Sequence, residues 1–170
     1  MSDQPIIAVY PGSFDPMHLG HLDIVRRALT IFPRVVVGVL ENTDKAPLMP
    51  AERRVELIEA ALAGFPGVEV MAFSGLLVDF MRHAKARVIL RGMRAVSDFE
   101  YEFQIALMNR RLWNLAETVF LTPNEEYTYL SSRVVKEIWQ LGGDVSGLVP
   151  EPVRVALQEL RAARRPGSAG

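Results

Sequence analysis

The regular alternation of short apolar runs with longer amphipathic stretches is the feature that most constrains how this chain folds. Runs rich in β-branched residues predict five strands, at residues 6–10, 34–40, 68–73, 87–90 and 118–121. Apolar residues spaced three and four apart predict helices between them, at residues 22–32, 51–63, 76–83 and 98–115. Apolar strands joined by helical crossovers form parallel sheets covered on both faces. The sequence therefore predicts an α/β fold with a doubly wound, mainly five-stranded parallel sheet.

Two more helices are predicted after the fifth strand, at residues 131–141 and 151–164. The segment between them, GGDVSGLVP, contains the glycines and proline that interrupt helices. We find no internal repeat and no linker long enough to divide the 170 residues, of which 49% are hydrophobic. We therefore expect one domain over residues 1–164 and a disordered tail over residues 165–170.

Charge and composition exclude several classes of function. Nineteen Lys and Arg against 20 Asp and Glu give a net charge of −1, which argues against broad contact with a nucleic-acid backbone. The absence of cysteine excludes disulfides, thiolate catalysis and cysteine-type zinc sites, and it fits a reducing compartment. No apolar run approaches the roughly 20 residues that span a bilayer, and the first residues lack the pattern of an export signal. We expect a cytoplasmic protein with no nucleic-acid or membrane partner.

The loops that follow the predicted strands are the expected place for chemistry. In open α/β sheets, ligands bind in the crevice outside the carboxyl ends of the strands. The five loops begin near Pro11, Glu41, Ser74, Arg91 and Thr122, and each carries polar or basic residues that a simple connection does not need. These residues are candidates for a shared binding site.

The first of these loops, in the segment YPGSFDPMHLGHLDIV, carries a pair of histidines. Its glycines allow a ligand to approach the backbone, and the N–H groups at a helix N-terminus favour an anion. If the helix has begun, His18 and His21 face the same side and can meet one phosphate chain. Either histidine alone is equally consistent with an exposed or turn-capping role. A zinc site needs three or four ligands, and only His83 remains, with no carboxylate cluster near it, so we do not expect one.

Two common nucleotide-binding motifs are missing from the sequence. The chain lacks G-x-x-x-x-G-K-[ST], and its first turn lacks G-x-G-x-x-G. An ordinary NTPase or dinucleotide dehydrogenase is therefore not indicated.

Three blocks of sequence carry a family resemblance. His18-Leu19-Gly20-His21 matches the (T/H)-x-G-H motif of the nucleotidyltransferase superfamily. With YPGSFDPMHLGH at the start, RGMRAVSDFEYE in the middle and SSRVVKE late, residues 5–160 resemble the bacterial phosphopantetheine adenylyltransferases. The resemblance implies the Rossmann-like nucleotidyltransferase fold and transfer of AMP from ATP to 4'-phosphopantetheine, giving dephospho-coenzyme A and pyrophosphate. It also implies Mg²⁺ with the ATP, a homohexamer, and coenzyme A as a product-like inhibitor.

The resemblance also implies roles for individual residues. The catalytic residues would be His21, Lys45 and Arg94. The 4'-phosphopantetheine site would comprise Ser13, Lys45, Leu77 and Arg91. The ATP site would comprise Ser13, Phe14, His18, His21, Gly92, Met93, Arg94, Glu102, Tyr127, Thr128, Tyr129, Leu130, Ser131, Ser132 and Arg133.

Simpler interpretations exist for several of these residues. Lys45 taken alone is typical of a solvated surface lysine, and Leu77 of a core leucine. Ser131 or Ser132 could cap the predicted helix at residues 131–141, and Ser97 or Asp98 could cap the one at 98–115. In that helix Phe99, Phe103, Ala106 and Leu107 form an apolar stripe typical of core or subunit contact.

The role of Arg133 stays open, because many relatives carry a small polar residue at that position. Two other functions also stay open: a nucleotidyltransferase with another acceptor or CTP, and a non-catalytic sensor of nucleotide or coenzyme A.

Overall fold

The computed structural model describes residues 5–41, 46–94 and 96–164, and for residues 96–98 only the backbone. The strands are β1 (Ile7–Gly12), β2 (Arg34–Leu40), β3 (Val68–Phe73), β4 (Val88–Gly92) and β5 (Glu117–Leu121). The helices are α1 (Leu19–Ala28), α2 (Ala51–Leu62), α3 (Leu77–His83), α4 (Val96–Leu112), α5 (Ser132–Gln140) and α6 (Glu151–Arg164). A 3-10 turn covers Glu125–Tyr127. The predicted tail at residues 165–170 and Lys45 both lie outside the described residues.

All five strands pair in parallel, in the order β3-β2-β1-β4-β5. The chain builds the sheet outward from β1 to β3, then returns to the other side of β1 with β4 and β5. The order therefore reverses between β1 and β4. At such a switch point the two following loops run apart and leave a crevice beyond the strand ends.

Hydrophobic side chains pack on both faces of the sheet. Along β1, Ala8 and Tyr10 belong to a cluster that includes residues of α1, α2, α5 and α6. Ile7 and Val9 belong to a second cluster that includes residues of α3. Successive strand residues point to opposite faces, so burial of both sets requires cover on both faces. The predicted doubly wound α/β fold is confirmed.

Strands β1 and β4 end later than predicted, so the loops that follow them also begin later. β1 continues past residue 10 because Pro11 and Gly12 pair with β2 opposite Gly38 and Val39. β4 continues to Gly92, which pairs with β5, so Arg91 lies in the strand and not in the loop after it. Both strands end two residues later than predicted, because Pro11 and Gly12 in β1 and Arg91 and Gly92 in β4 still pair in the sheet.

Two helices were also predicted with wrong limits. α1 begins at Leu19 and ends at Ala28, and residues 29–32 form turns that end with the Phe32 N–H donating to the Ala28 carbonyl at 2.8 Å. α4 begins at Val96, which places residues 97 and 98 inside its first turn, so neither caps it as predicted. α4 also ends at Leu112, before the predicted residue 115, because the chain then turns and buries Ala116. The remaining predicted helices agree to within a residue.

Among the described residues, no helix combines the length and the apolar character needed to cross a membrane.

Candidate active site

A cavity of about 530 Å³ lies at the switch point of the sheet. The ends of β1 and β4, the loop after β1, the face of α4 and the segment that leads into α5 all contribute to its walls. The lining residues are Tyr10, Pro11, Gly12, Ser13, Phe14, His18, Gly20, His21, Ile24, Arg91, Gly92, Arg94, Tyr101, Glu102, Pro123, Tyr127, Ser131 and Ser132. The strand order therefore brings residues that lie between Tyr10 and Ser132 in the sequence together in one cavity.

The two histidines of the first loop stack against each other in this cavity. Their ring centroids are 3.7 Å apart, with His18 preceding the first residue of α1 and His21 in its first turn. The His18 backbone N–H donates to Nδ1 of His21 at 3.2 Å. Since Nδ1 accepts this bond, the proton of the neutral His21 ring lies on Nε2, which can donate to a ligand.

Burial keeps both imidazoles neutral. It lowers the pKa of His18 to about 4, with a further contribution from the positive charge of Arg94. Burial also lowers the pKa of His21 well below its usual value, and His18, Arg94 and Arg91 lower it further. His18 Nδ1 is buried without a hydrogen-bond partner in the described part of the chain. Neutral rings beside guanidinium groups leave the cavity suited to an incoming polyanion.

Gly20 makes room for the histidine pair. A Cβ atom added there would lie 3.0 Å from both Cε1 and Nδ1 of the His18 ring and 3.5 Å from the Tyr127 Cβ. A side chain there would therefore force the His18 ring to shift by a few tenths of an ångström. This close approach explains why the local pattern has glycine between the two histidines.

Arg91 and Glu102 form a two-bond ion pair at one wall of the cavity. Arg91 Nε and Nη2 donate to the two carboxylate oxygens of Glu102 at 2.7 and 2.6 Å, and Nη1 donates to the Pro11 carbonyl at 3.1 Å. Burial lowers the pKa of Arg91, but the hydrogen bonds and charge of Glu102 more than offset this, so the pKa stands above its usual value. Arg91 is therefore a fixed cation.

A smaller cavity of about 100 Å³ adjoins the first and shares Arg91, Tyr101 and Glu102 with it. Its remaining lining is mainly apolar: Leu77, Ile89, Ile105, Ala106, Asn109 and Thr118. A ligand that extends from the large cavity past Arg91 would therefore meet a charged group first and an apolar surface next.

The segment that leads into α5 is held against the first loop. Ser131 caps α5 by accepting from the Val134 N–H at 3.1 Å, and Ser132 Oγ donates to the Pro16 carbonyl at 2.8 Å. Arg94 Nη1 donates to the Leu130 carbonyl at 2.8 Å. Capping by Ser131 and a place in the cavity wall are therefore compatible, as the sequence suggested.

Asp23 connects α1 to the loop after β5. Its buried carboxylate accepts from the Asn124 backbone N–H at 2.8 Å and from Arg27 Nε at 2.8 Å. Asn124 in turn caps the 3-10 turn, whose last residue, Tyr127, lines the cavity. No motif pointed to Asp23, although it lies only two residues after His21.

Most of the predicted site residues meet in the large cavity. Those that line it are Ser13, Phe14, His18, His21, Arg91, Gly92, Arg94, Glu102, Tyr127, Ser131 and Ser132. Leu77 lines the smaller cavity, half-buried rather than in the core. Lys45 lies outside the described residues. The other predicted positions are not among the lining residues: Met93, Thr128, Tyr129, Leu130 and Arg133. The Arg133 side chain is exposed.

Several lining residues were not predicted. Tyr10, Pro11 and Gly12 come from the end of β1, and a correct strand limit would have indicated them. Tyr101 lies beside Glu102 on α4. It was not recognised as a site residue because the apolar residues around it form a pattern typical of packing.

The described residues contain no group of three or more histidine, aspartate and glutamate side chains arranged to hold a metal ion. Glu102 is the one carboxylate among the residues that line the large cavity in the described part of the chain, and Arg91 occupies both of its oxygens. The residues present therefore do not fit a dedicated protein site for Mg²⁺.

This fold and site define a nucleotidyltransferase, and comparison with known proteins agrees. The family model described as cytidylyltransferase-like matches residues 9–138. A solved structure from Vibrio parahaemolyticus, described provisionally as a nicotinate-nucleotide adenylyltransferase, has a TM-score of 0.68 and covers 91% of this chain and 99% of its own. At 17% identity, that likeness shows the fold alone.

Curated relatives define the family more narrowly. The phosphopantetheine adenylyltransferase of Azoarcus sp. (strain BH72) is 54% identical over 159 residues, or 94% of this chain and 98% of the relative. That of Stenotrophomonas maltophilia (strain K279a) is 53% identical over 158 residues, or 93% and 94%. The chain belongs to the phosphopantetheine adenylyltransferase family.

Proposed function

We propose that this chain carries out its family's reaction, the transfer of AMP from ATP to 4'-phosphopantetheine, giving dephospho-coenzyme A and pyrophosphate. The observation that carries the proposal is the single cavity in which two imidazoles, two guanidinium groups and several hydroxyls converge. Such donors recognise phosphate groups, and both substrates bring phosphates that must meet.

We assign the two substrates to different parts of the cavity. We assign ATP to the part of the cavity lined by His18, His21, Gly92, Arg94, Tyr127 and Ser131. We assign the phosphate of 4'-phosphopantetheine to Ser13 and Arg91. The adjoining apolar cavity supports this division, because it begins at Arg91 and offers Leu77 to an uncharged arm.

The chemistry is a direct displacement at phosphorus. An oxygen of the phosphopantetheine phosphate attacks the α-phosphorus of ATP, a new P–O bond forms, and the bond to the β-phosphate oxygen breaks with its electrons leaving on pyrophosphate. No group of the protein need bond to phosphorus, so positioning and charge stabilisation supply the acceleration.

His21 is the residue best placed to stabilise the transition state. Its Nδ1 is held by the His18 backbone N–H, so its Nε2–H remains available to donate as negative charge moves onto the phosphate oxygens. Arg94 is assigned the same electrostatic role from another side of the cavity. Lys45 is assigned to draw the two phosphates together on the family resemblance alone. Mg²⁺ would enter as the complex with ATP, bound by the triphosphate.

Three further properties belong to the proposal. We propose a homohexamer, supported by the exposed apolar side chains of α4 and the turn after it: Phe99, Tyr101, Phe103, Ile105, Leu107, Met108, Leu112 and Leu115. An exposed set of this kind on one helix is typical of a subunit interface. Coenzyme A, which differs from the product by one phosphate, should compete for the same cavity. The absence of cysteine supports a place in the cytoplasm.

Mass spectrometry of the reaction products tests the proposed function. Purified protein is incubated with MgATP and 4'-phosphopantetheine, and in parallel with CTP or with nicotinate mononucleotide. We expect dephospho-coenzyme A and pyrophosphate from the first pair and little product from the others. Nucleotide binding without any product would instead favour a sensor. Turnover with CTP or with the other acceptor would favour a different nucleotidyltransferase. Light scattering checks the number of subunits.

A further inference from the structure

Arg54 is a buried cation to which the proposed function assigns no role. It lies in the first turn of α2, and only 1% of its surface is exposed. It does not line either cavity. A buried guanidinium costs several kcal/mol in lost hydration unless its partners replace the water. Its partners therefore indicate what the charge does.

Arg54 binds the carbonyls of three separate segments. Nη1 donates to the Ser13 carbonyl just after β1 and to the Leu40 carbonyl at the end of β2, at 3.0 Å in the second case. Nε donates to the Met49 carbonyl just before α2, at 3.1 Å. One side chain thus cross-links the first loop to both ends of the connection between β2 and α2. Nη2 is buried and has no hydrogen-bond partner in the described part of the chain.

Asp15 makes the complementary set of bonds. Its buried carboxylate accepts from the Leu48 and Met49 backbone N–H groups at 2.8 and 3.2 Å, and from Lys136 Nζ at 2.6 Å. The first loop is therefore tied to the start of α2 through both carbonyl and N–H groups. Unlike Asp15, Arg54 binds Ser13, which is one of the residues that line the cavity.

We propose that Arg54 is a positioning residue for the acceptor side of the active site. By fixing the Ser13 carbonyl, it holds the Ser13 backbone and hence the hydroxyl to which the incoming phosphate is assigned. The inference rests on the proposed function, which assigns Ser13 to 4'-phosphopantetheine although the family resemblance implies that it contacts both substrates. Within the part of the chain that the structure describes, the carbonyls that Arg54 binds belong to Ser13, Leu40 and Met49 and not to β4 or the segment before α5. Loss of the guanidinium should therefore affect the acceptor more than the nucleotide.

The test compares Arg54→Met and Arg54→Lys with a matched control, Arg53→Met. Arg53 is the preceding residue, and it makes exposed ion pairs with Glu56 and Glu159 at 2.8 and 3.9 Å. For each variant, we would measure kcat and KM for 4'-phosphopantetheine, the ATP dissociation constant by calorimetry, and the thermal unfolding midpoint. The wild-type product assay is done first, so failure of the proposed function would appear there and not in the variants.

We expect Arg54→Met to lower kcat/KM for 4'-phosphopantetheine by about ten-fold or more, while the ATP dissociation constant changes by less than about three-fold. Arg54→Lys, which keeps the charge but reaches fewer carbonyls, should show the same split to a smaller extent. Arg53→Met should match the wild type. If Arg54→Met does not fold, the split in Arg54→Lys decides. Equal losses of ATP affinity and acceptor efficiency, or no loss in either, would overturn the proposal.

Discussion

Arg91 and Glu102 hold each other by two parallel hydrogen bonds at the boundary between the two cavities. The family resemblance implies that one serves the phosphopantetheine phosphate and the other ATP, yet in this structure they are partners. The pairing presets the direction of the guanidinium without a ligand. In the proposed function, Arg91 would therefore meet an incoming phosphate already oriented, and Glu102 would contribute to acceptor binding through Arg91.

Arg91→Lys tests this relationship. A lysine keeps the positive charge but cannot make the two parallel bonds, so its ammonium group loses the fixed direction. We expect KM for 4'-phosphopantetheine to rise by about ten-fold or more, with a smaller change in KM for ATP. Arg82→Lys serves as the control because Arg82 pairs with Asp79 at an exposed site on α3. An unchanged acceptor KM in Arg91→Lys would contradict the assignment.

Gly20→Ala should separate activity from stability. The added methyl group would lie 3.0 Å from the His18 ring and force the ring to shift by a few tenths of an ångström against His21. Small displacements of groups at a reacting centre lower the rate, here by about three-fold to ten-fold. Alanine is the better helix former by about 1 kcal/mol, which offsets part of the strain. We expect kcat to fall while the unfolding midpoint changes little. Gly64→Ala, where nothing lies within 4 Å, should leave kcat at the wild-type value. A Gly20→Ala enzyme of full activity would show that the stacking is dispensable.

The histidine pair should make the folded protein less stable as the pH falls. The His18 pKa is about 4 in the folded chain against 6.5 for a free side chain, so below pH 6.5 the unfolded chain binds a proton that the folded chain does not. Over the window from pH 6.5 down to about 4, this difference removes about 3 kcal/mol from the free energy of unfolding. His21 acts in the same direction, and the two rings titrate as a pair.

Urea unfolding of the wild type and His18→Gln at several pH values between 7 and 4.5 measures this effect. The variant should lose less stability than the wild type as the pH falls, because one of the protons taken up on unfolding is gone. Curves that stay parallel across the window would show that His18 keeps an ordinary pKa in the folded chain.

Periodicity and composition were enough to predict the sheet, because each strand contains an apolar run and a helical stretch separates each strand from the next. They did not locate the ends of β1 and β4, since Pro11, Gly12 and Gly92 look like loop residues and pair in the sheet only because a neighbouring strand is present. The α4 limits failed for a related reason: its exposed apolar residues continue past Leu112 with no break in the pattern.

The motifs indicated the segments after β1, β4 and β5 that line the large cavity, whereas the loops after β2 and β3 contribute none of its described lining residues. The sheet order places β1, β4 and β5 side by side, which explains why those three segments meet. What the motifs could not reveal are the contacts between side chains and distant backbone. Arg54 looks like any charged residue of a helix, and its burial depends on carbonyls up to 41 residues away. Asp23 likewise depends on Asn124, 101 residues later. Such partners are set by the tertiary fold and leave no local pattern.

The most direct test of the central claim is a single-turnover measurement with ATP labelled at the α-phosphate, comparing the wild type with His21→Ala. We expect the label to pass from ATP into dephospho-coenzyme A with none on the protein. In His21→Ala the transfer should be at least about 100-fold slower, while the ATP dissociation constant changes only a few-fold. Label found on the protein or released as free AMP, or a variant that loses ATP affinity as much as rate, would contradict it.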